Sequence, residues 1–474
     1  MKLQLLSTPT PRRSQTIIAA LLLLVSLCLP ATAAATQHAG TPAPRREQLL
    51  NGLRLLLVHR AGDPQVLLKL RINSGAAFDL AGKEGLMTLL GDALFPDLDE
   101  TRRYVEEELN GRLEVNTSYD HMEILLSGKT SDFERLVELV RNAVLQMRLD
   151  AGDVNRLREA RLKAARDAAA QAPLLADRAA AARLYRSYPY GRALTGTPES
   201  LARIDRPDMM LARDRFINPN NSVLVLVGGV EGARAMRALR QLLGSWRKSD
   251  ALAPATFRQP EAPDARTLIV NLPGASEAEV RLAARGLART DRERAAANIA
   301  AALLRERLTN ALKEFQPKSV FARHDAHNLS GIVMIGTSVP ARFAAPALEA
   351  TRVAVASLAA SPVSVAELDT ARRAALAALA ERRSRPEATA DEWLDATFYN
   401  STFADEERAL NALTPSDVQR VAARLFGGEA KLASVVAGDA AQLRGELTRL
   451  GGGVEVAEAN LAAPAPDTKT QKRP

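Results

Sequence analysis

Cysteine is almost missing: one residue among 474, Cys28, inside an apolar run near the N-terminus. The rest of the chain therefore offers no disulfide and no thiolate for nucleophilic attack or metal ligation. Aromatic residues are scarce at 4%, so Ala and Leu must fill the interior, which favours closely packed amphipathic helices. Dense Lys/Arg blocks interleaved with aromatics are lacking, and nucleic-acid binding is set aside on that ground. A nucleophile elbow of the Gly-x-Ser-x-Gly type is lacking too, as is a phosphate-cradling loop. The long apolar run, 17–29, has 13 residues, short of the roughly 20 that span a bilayer.

That run belongs to an expected secretory leader. Arg12 and Arg13 precede it, Pro30 breaks it, and Ala31-Thr32-Ala33 fits a cleavage site. Residues 1–34 are read as a signal peptide and the periplasm as the address. A lipoprotein would use Cys28 as its anchor, but Leu27 is bulky where such a signal wants a small side chain. The formal net charge is +8, of which Lys2, Arg12 and Arg13 belong to the leader. The remaining mild basic balance is spread along the chain.

Apolar content of 47% and charged content of 25% are those of a globular protein. The length calls for two to four units at about 150 residues each. Residues 35–48, rich in Ala, Thr and Pro, read as a flexible lead-in. Strands are expected at 53–58, 66–72, 114–116, 122–126 and 222–227, and helices at 85–95, 101–110 (with Gly111 to stop it) and 205–216. Ser131 and Glu134 have the spacing of a capping box, with Phe133, Leu136, Val137, Val140 and Val144 forming one apolar stripe behind it. Asp153 is expected to open a long Arg- and Ala-rich helix.

The pattern then repeats. The strand at 222–227 ending in Gly228 matches 432–437 ending in Gly438, an offset of 210. Phe216 and Phe426 each stand 12 residues before those glycines, and capped helices opened by Asp205-Pro207 and Thr414-Pro415 precede them. The strand at 122–126 pairs with 330–334, and Ser364 with Glu367 caps a second long Ala/Arg helix. Matched elements in the same order at a nearly constant offset argue for two copies of one α+β domain. The boundaries read as 49–245 and 266–455, with a Pro-containing linker at 246–265 and a disordered tail at 456–474.

Several strings carry a family resemblance. Residues 189–200 read PYGRALTGTPES, 216–228 read FINPNNSVLVLVG, and 414–420 read TPSDVQR. In two homologous halves, these resemble the two-domain subunits of the pitrilysin/insulinase zinc peptidases. The resemblance implies an α+β fold of two homologous domains, each a mainly antiparallel sheet covered by helices, together forming half of a clamshell. It also implies a site, an inverted H-x-x-E-H zinc motif on the first helix. Here its lead survives as Gly82, Gly85 and Leu86, but the motif positions read Thr88-Leu89-Leu90-Gly91-Asp92. Thr88 offers a neutral hydroxyl, and Gly91 has no carboxylate to take a proton from metal-bound water. Asp92 alone is a salt-bridged or solvated acid. The family's third ligand, a glutamate on a later helix, falls at Lys163 and Ala164. The family's substrate-clamping Arg and Tyr fall at Gln316 and Val320, or at Lys318 and Phe321 after a small shift.

Other donors offer no obvious rescue. His324 and His327 would point to opposite faces of a strand and are read as solvent-facing or turn histidines. His121, beside Asp120, is read as packed against a sheet. No catalytic residue, cofactor or metal is therefore expected in this chain. The expected role is that of a non-catalytic subunit. It would pair with an active H-x-x-E-H chain of similar length, which carries the zinc, and enclose unfolded peptides. Alternatives are a self-associating peptide-binding or chaperone-like protein, and a peptidase with a metal site rebuilt around Asp92.

Overall fold

The computed structural model describes residues 42–250, 257, 260–427 and 432–459. The leader, Cys28, the first part of the lead-in, residues 251–256, 258 and 259 of the linker, residues 428–431 and the tail beyond 459 lie outside the described residues.

The first half contains β1(Arg45–Gln48), β2(Arg54–His59), β3(Gln65–Ile72), α1(Leu86–Asp92), α2(Leu98–Glu107), β4(Arg112–Thr117), β5(Met122–Lys129), α3(Phe133–Leu145), α4(Ala151–Ala169), α5(Ala172–Tyr185), α6(Pro198–Ala202), α7(Arg206–Phe216), β6(Ser222–Gly228) and α8(Gly232–Leu243). The second contains β7(Thr267–Asn271), β8(Glu277–Arg285), α9(Arg294–Ala311), β9(Ser319–Asp325), β10(Ile332–Pro340), α10(Ala344–Ala360), α11(Val365–Ser384), α12(Ala388–Tyr399), α13(Phe403–Ala412), α14(Pro415–Phe426), β11(Leu432–Gly438), α15(Ala440–Arg449) and β12(Val454–Glu458).

The six-stranded sheets run β1-β2-β6-β3-β5-β4 and β12-β7-β11-β8-β10-β9. Without the edge strands β1 and β12, the two orders are identical. The parallel pair β2–β6 answers β7–β11, and the other three pairings of each core sheet are antiparallel. The repeat read from the sequence is thus one topology used twice. The sixth strand is added differently: β1 precedes its neighbour and runs antiparallel to it, whereas β12 follows and runs parallel.

Both added strands correct an expectation. Arg45–Gln48 is a paired strand rather than flexible lead-in, and Val456–Glu458 belongs to β12 rather than to a tail. Local caps also differ. The stripe from Phe133 to Val144 is buried as expected, but Ser131 bonds Asp132 and Glu134 is held by Arg234, so no capping box forms there. Asp150 caps α4, accepting the N–H of Asp153. α2 starts at Leu98, and Asn110 (φ 47) makes the turn after it. Gly111 is needed for a different reason: a Cβ there would lie 1.8 Å from the Ser127 carbonyl oxygen.

The halves exchange helices. α5 leaves the first half and lays Leu175, Ala176, Ala179 and Leu184 against Val270, Ala283, Met334 and Val435 of the second sheet. α12 returns the arrangement, packing Ala390 and Leu394 on Leu56, Leu67, Leu125 and Val225 of the first. Coverage on both faces explains why β6, SVLVLVG, is buried at every position and reads as a continuous apolar run rather than an alternation. Charges follow the same exchange. Arg71 on β3 meets Glu123 at 2.6 Å and Asp395 of α12 at 3.5 Å. Arg281, 210 residues later on β8, meets Glu279 at 3.0 Å and Asp177 of α5 at 2.5 Å.

Candidate functional site

α1 is fixed at its start. Gly85 takes φ 94, and a Cβ there would come within 2.8 Å of Gly196, so the turn needs glycine for both conformation and space. Asp79 accepts the N–H groups of Gly85 and Met87, each at 2.7 Å. Burial pushes the Asp79 carboxyl up to about 7, against those two hydrogen bonds and nearby Arg192.

Along α1, the three positions implied by the resemblance are each committed elsewhere. The buried Thr88 hydroxyl donates to the Leu194 carbonyl at 2.7 Å. A Cβ on Gly91 would lie 2.3 Å from Thr117 Oγ1 at the end of β4, so any side chain there requires the Thr117 hydroxyl to turn away. Asp92 is gripped by Arg161 of α4, Nε to Oδ2 and Nη2 to Oδ1, both 2.5 Å. Both carboxylate oxygens thus face a guanidinium, whose own pKa this pairing raises. This donor set does not fit a zinc ion, which wants imidazole nitrogen or free carboxylate oxygen in tetrahedral array.

Lys163 is not at this site. Its side chain is 81% exposed and pairs with Asp167 at 3.1 Å. The cation that reaches α1 is Arg161, which the sequence reading passed over. Helical spacing held the clue: Val154, Leu157 and Ala165 are buried on α4, and 161 lies on their stripe while 163 lies off it. Gln316 takes φ 54 after a short 3-10 turn and accepts from Arg342 at 3.3 Å. Val320 is half-buried against the second core. In the shifted register, Lys318 pairs with Glu277, and Phe321 lies under the guanidiniums of Arg281 and Arg323.

His324, on β9, departs from the expectation of a solvent-facing or turn histidine, whereas His327 lies on a loop. His324 is held by the Leu287 N–H, which donates to Nε2 at 2.9 Å, and by Asn298 Oδ1, 2.8 Å from Nδ1. Burial pushes it down to about 4. His327, on the loop after β9, has Nδ1 3.6 Å from Asp120 Oδ2 and packs its ring 4.4 Å from that of Tyr190. His121, in the turn just before β5, is buried and lies 3.6 Å from Glu123, and burial together with Arg71 holds it at about 4. Among the described residues no three His, Cys, Asp or Glu side chains gather as a metal site.

Between the halves lies a cavity of 440 Å³, walled by Tyr119, Tyr190, Leu194, Arg323, His327 and Met334 among others. Leu194 links it to Thr88. Asp120 braces one side, accepting Tyr190 Oη at 2.7 Å and the Asn328 N–H at 2.9 Å. Close by, β4 is the outer strand of its sheet and, among the described residues, pairs only with β5. The turn after β4 supplies Ser118 and Tyr119 to the cavity wall.

Residues 54–198 match the family model described as Insulinase (Peptidase family M16), and residues 203–375 match that described as Peptidase M16 inactive domain. No curated protein matches the chain. Solved structures with the same fold include a peptidase M16 inactive domain from Pseudomonas fluorescens (21% identity, 84% of this chain and 98% of that one, TM-score 0.73). A protease from Helicobacter pylori matches at 17% identity, over 83% and 99% of the two chains, with TM-score 0.73. A chain of complex III2 from Candida albicans matches at 14% identity, over 85% and 99%, with TM-score 0.69.

Proposed function

The chain belongs to the insulinase (peptidase M16) family, and from that premise we propose that it is a non-catalytic subunit which completes a peptide-enclosing chamber with a zinc-bearing partner of similar length. The observation that carries the proposal is the closure of Arg161 on Asp92. A guanidinium takes both oxygens of the one carboxylate left on the motif helix, Gly91 has lost the base, and Thr117 fills the space that base would need. Water activation then has to come from a second chain.

What remains suits substrate holding. Among the described residues no second strand lies along the outer edge of β4, and its backbone N–H and C=O groups can take an extended peptide as an added strand, Leu113 C=O, which accepts from Arg102 at 3.2 Å, being the exception. The adjoining 440 Å³ cavity offers both apolar and charged walls to a side chain. In this reading the chain works in the periplasm, after removal of its leader, on unfolded peptides.

The test is affinity capture of the tagged chain from periplasmic extract. A co-purifying chain of about equal size with an intact H-x-x-E-H motif, and peptide cleavage by the pair but by neither chain alone, is the expected result. Chelator-sensitive cleavage by the isolated chain, or one stoichiometric zinc in it, would overturn the proposal. A stable homodimer that binds peptides with no second chain would replace it with the self-associating reading.

A further inference from the structure

A second cavity, of 390 Å³, lies wholly in the second half, where the chain entering α9 meets the turn between α12 and α13. Four arginines line it: Arg289, Arg292, Arg294 and Arg408. Thr290, Asn298 and Ser401 add neutral polar groups. Three acids share the wall, but each is already engaged. Asp291 accepts the Glu293 N–H at 2.8 Å and pairs with Arg424 at 3.0 Å. Asp405 takes the N–H and hydroxyl of Thr402 and pairs with Arg408. Glu406 is bound by Arg382 at 2.6 Å.

Arg294 is left with weak compensation. Its side chain is only 19% exposed, yet its nearest acceptors are Ser401 Oγ at 3.5 Å and Glu406 at 4.0 Å, both at the limit of useful contact. Burial, with Arg289 and Arg382 close by, outweighs the opposing pull of Glu406 and Asp395 and holds this guanidinium below its ordinary pKa. Arg292 is exposed at the rim and forms no ion pair among the described residues. Arg289 is oriented by Asp395 at 2.8 Å and by the Tyr399 ring, 4.6 Å from its centroid. A partly desolvated cation whose nearest carboxylate stands 4.0 Å away, beside two further guanidiniums and hydroxyl donors, is complementary to a multiply charged oxyanion.

We propose that this cavity is a binding site for a small multivalent oxyanion, a phosphate group being the chemistry it fits, separate from the cleft between the halves. Arg294 supplies the inner guanidinium, Arg292 the rim, and Thr290 and Ser401 the hydroxyls. The site has no need of a partner chain, so its occupancy is independent of the proposed pairing.

Isothermal titration of the full chain with inorganic phosphate, at ionic strength held constant with sodium chloride, tests this. The expected result is saturable binding of one phosphate per chain, with acetate binding at least about tenfold more weakly, because one charge cannot engage several guanidiniums at once. Arg294→Gln should reduce phosphate affinity by about tenfold or more, and Arg292→Gln, at an exposed position that leaves folding intact, by about threefold or more. Absence of saturation in the native chain would overturn the proposal, as would unchanged affinity in Arg292→Gln or equal binding of acetate.

Discussion

Arg161 and Asp92 meet through two parallel hydrogen bonds, tying the middle of α4 to the last residue of α1. A bidentate guanidinium–carboxylate contact is the strong form of ion pair, and here the side chains are 28% and 25% exposed. Arg161→Ala is expected to cost about 1–3 kcal/mol in urea unfolding, since it leaves a largely buried carboxylate unpaired. Asp92→Asn should cost less. The double variant should show coupling between the two sites of at least about 0.5 kcal/mol. Additive effects would mean that the contact holds nothing together.

Gly91 and Thr117 make a separate prediction, concerning space. A single methyl at 91 collides with Thr117 Oγ1, while Thr117 Cβ and Met122 Sδ sit at a tolerable 3.7 Å. Gly91→Ala should therefore destabilise the chain by about 1–3 kcal/mol, as overpacking does, despite the better helix propensity of alanine. Adding Thr117→Ala should recover most of the loss. If Gly91→Ala is as stable as the native chain, the position is not sterically closed.

The fold was legible because topology is written in periodicity and offset. Phe216 and Phe426, the capped helices at Asp205 and Thr414, and the twin apolar strands at 222 and 432 each mark one element of a repeated unit. The exchange of α5 and α12 was not legible. Leu175 and Leu394 read as ordinary apolar helix positions, and nothing in their local sequence says which sheet they will cover. Thr88, Gly91 and Asp92 were visible as departures from a motif. Their partners Leu194, Thr117 and Arg161 lie 106, 26 and 69 residues away, a separation that spacing rules cannot bridge. Edge strands β1 and β12 were missed because four or five residues, charged at alternate or adjacent places, look the same in a strand as in a flexible tail.

Acid should weaken the fold in two stages. His121 and His324 are both held at about 4, chiefly by burial, against an ordinary value near 6.5. In the unfolded chain they take up protons at a pH where the folded chain does not. Their contribution to stability is complete above about pH 6.5 and is lost as pH falls towards 4, on the order of 3 kcal/mol each. Burial alone would raise Glu123, but Arg71 and Lys69 hold it at about 2, so its share is lost later, between about pH 4.5 and 2. Unfolding free energy measured from pH 8 to pH 4 should fall, and His324→Gln should flatten that slope. A slope unchanged in this variant would show that the ring is protonated normally in the folded chain.

The helix exchange predicts one cooperative unit. Leu394 belongs to the second half by sequence, but its side chain is buried among Leu56, Leu67 and Val225 of the first sheet. Leu175 belongs to the first half and is buried on the second sheet. Either residue cut to alanine opens a cavity in the core of the other half, at a cost of about 2–5 kcal/mol. Each half without its borrowed helix would also expose one apolar sheet face to water, so neither is expected to stay folded once the other opens. Urea unfolding of Leu394→Ala followed by tryptophan fluorescence, from Trp246 in the first core and Trp393 on α12, should coincide with unfolding followed by circular dichroism of the whole chain. Two separate transitions would mean that α12 detaches without taking the first sheet with it, and that the exchanged helices cover the sheets without coupling the halves.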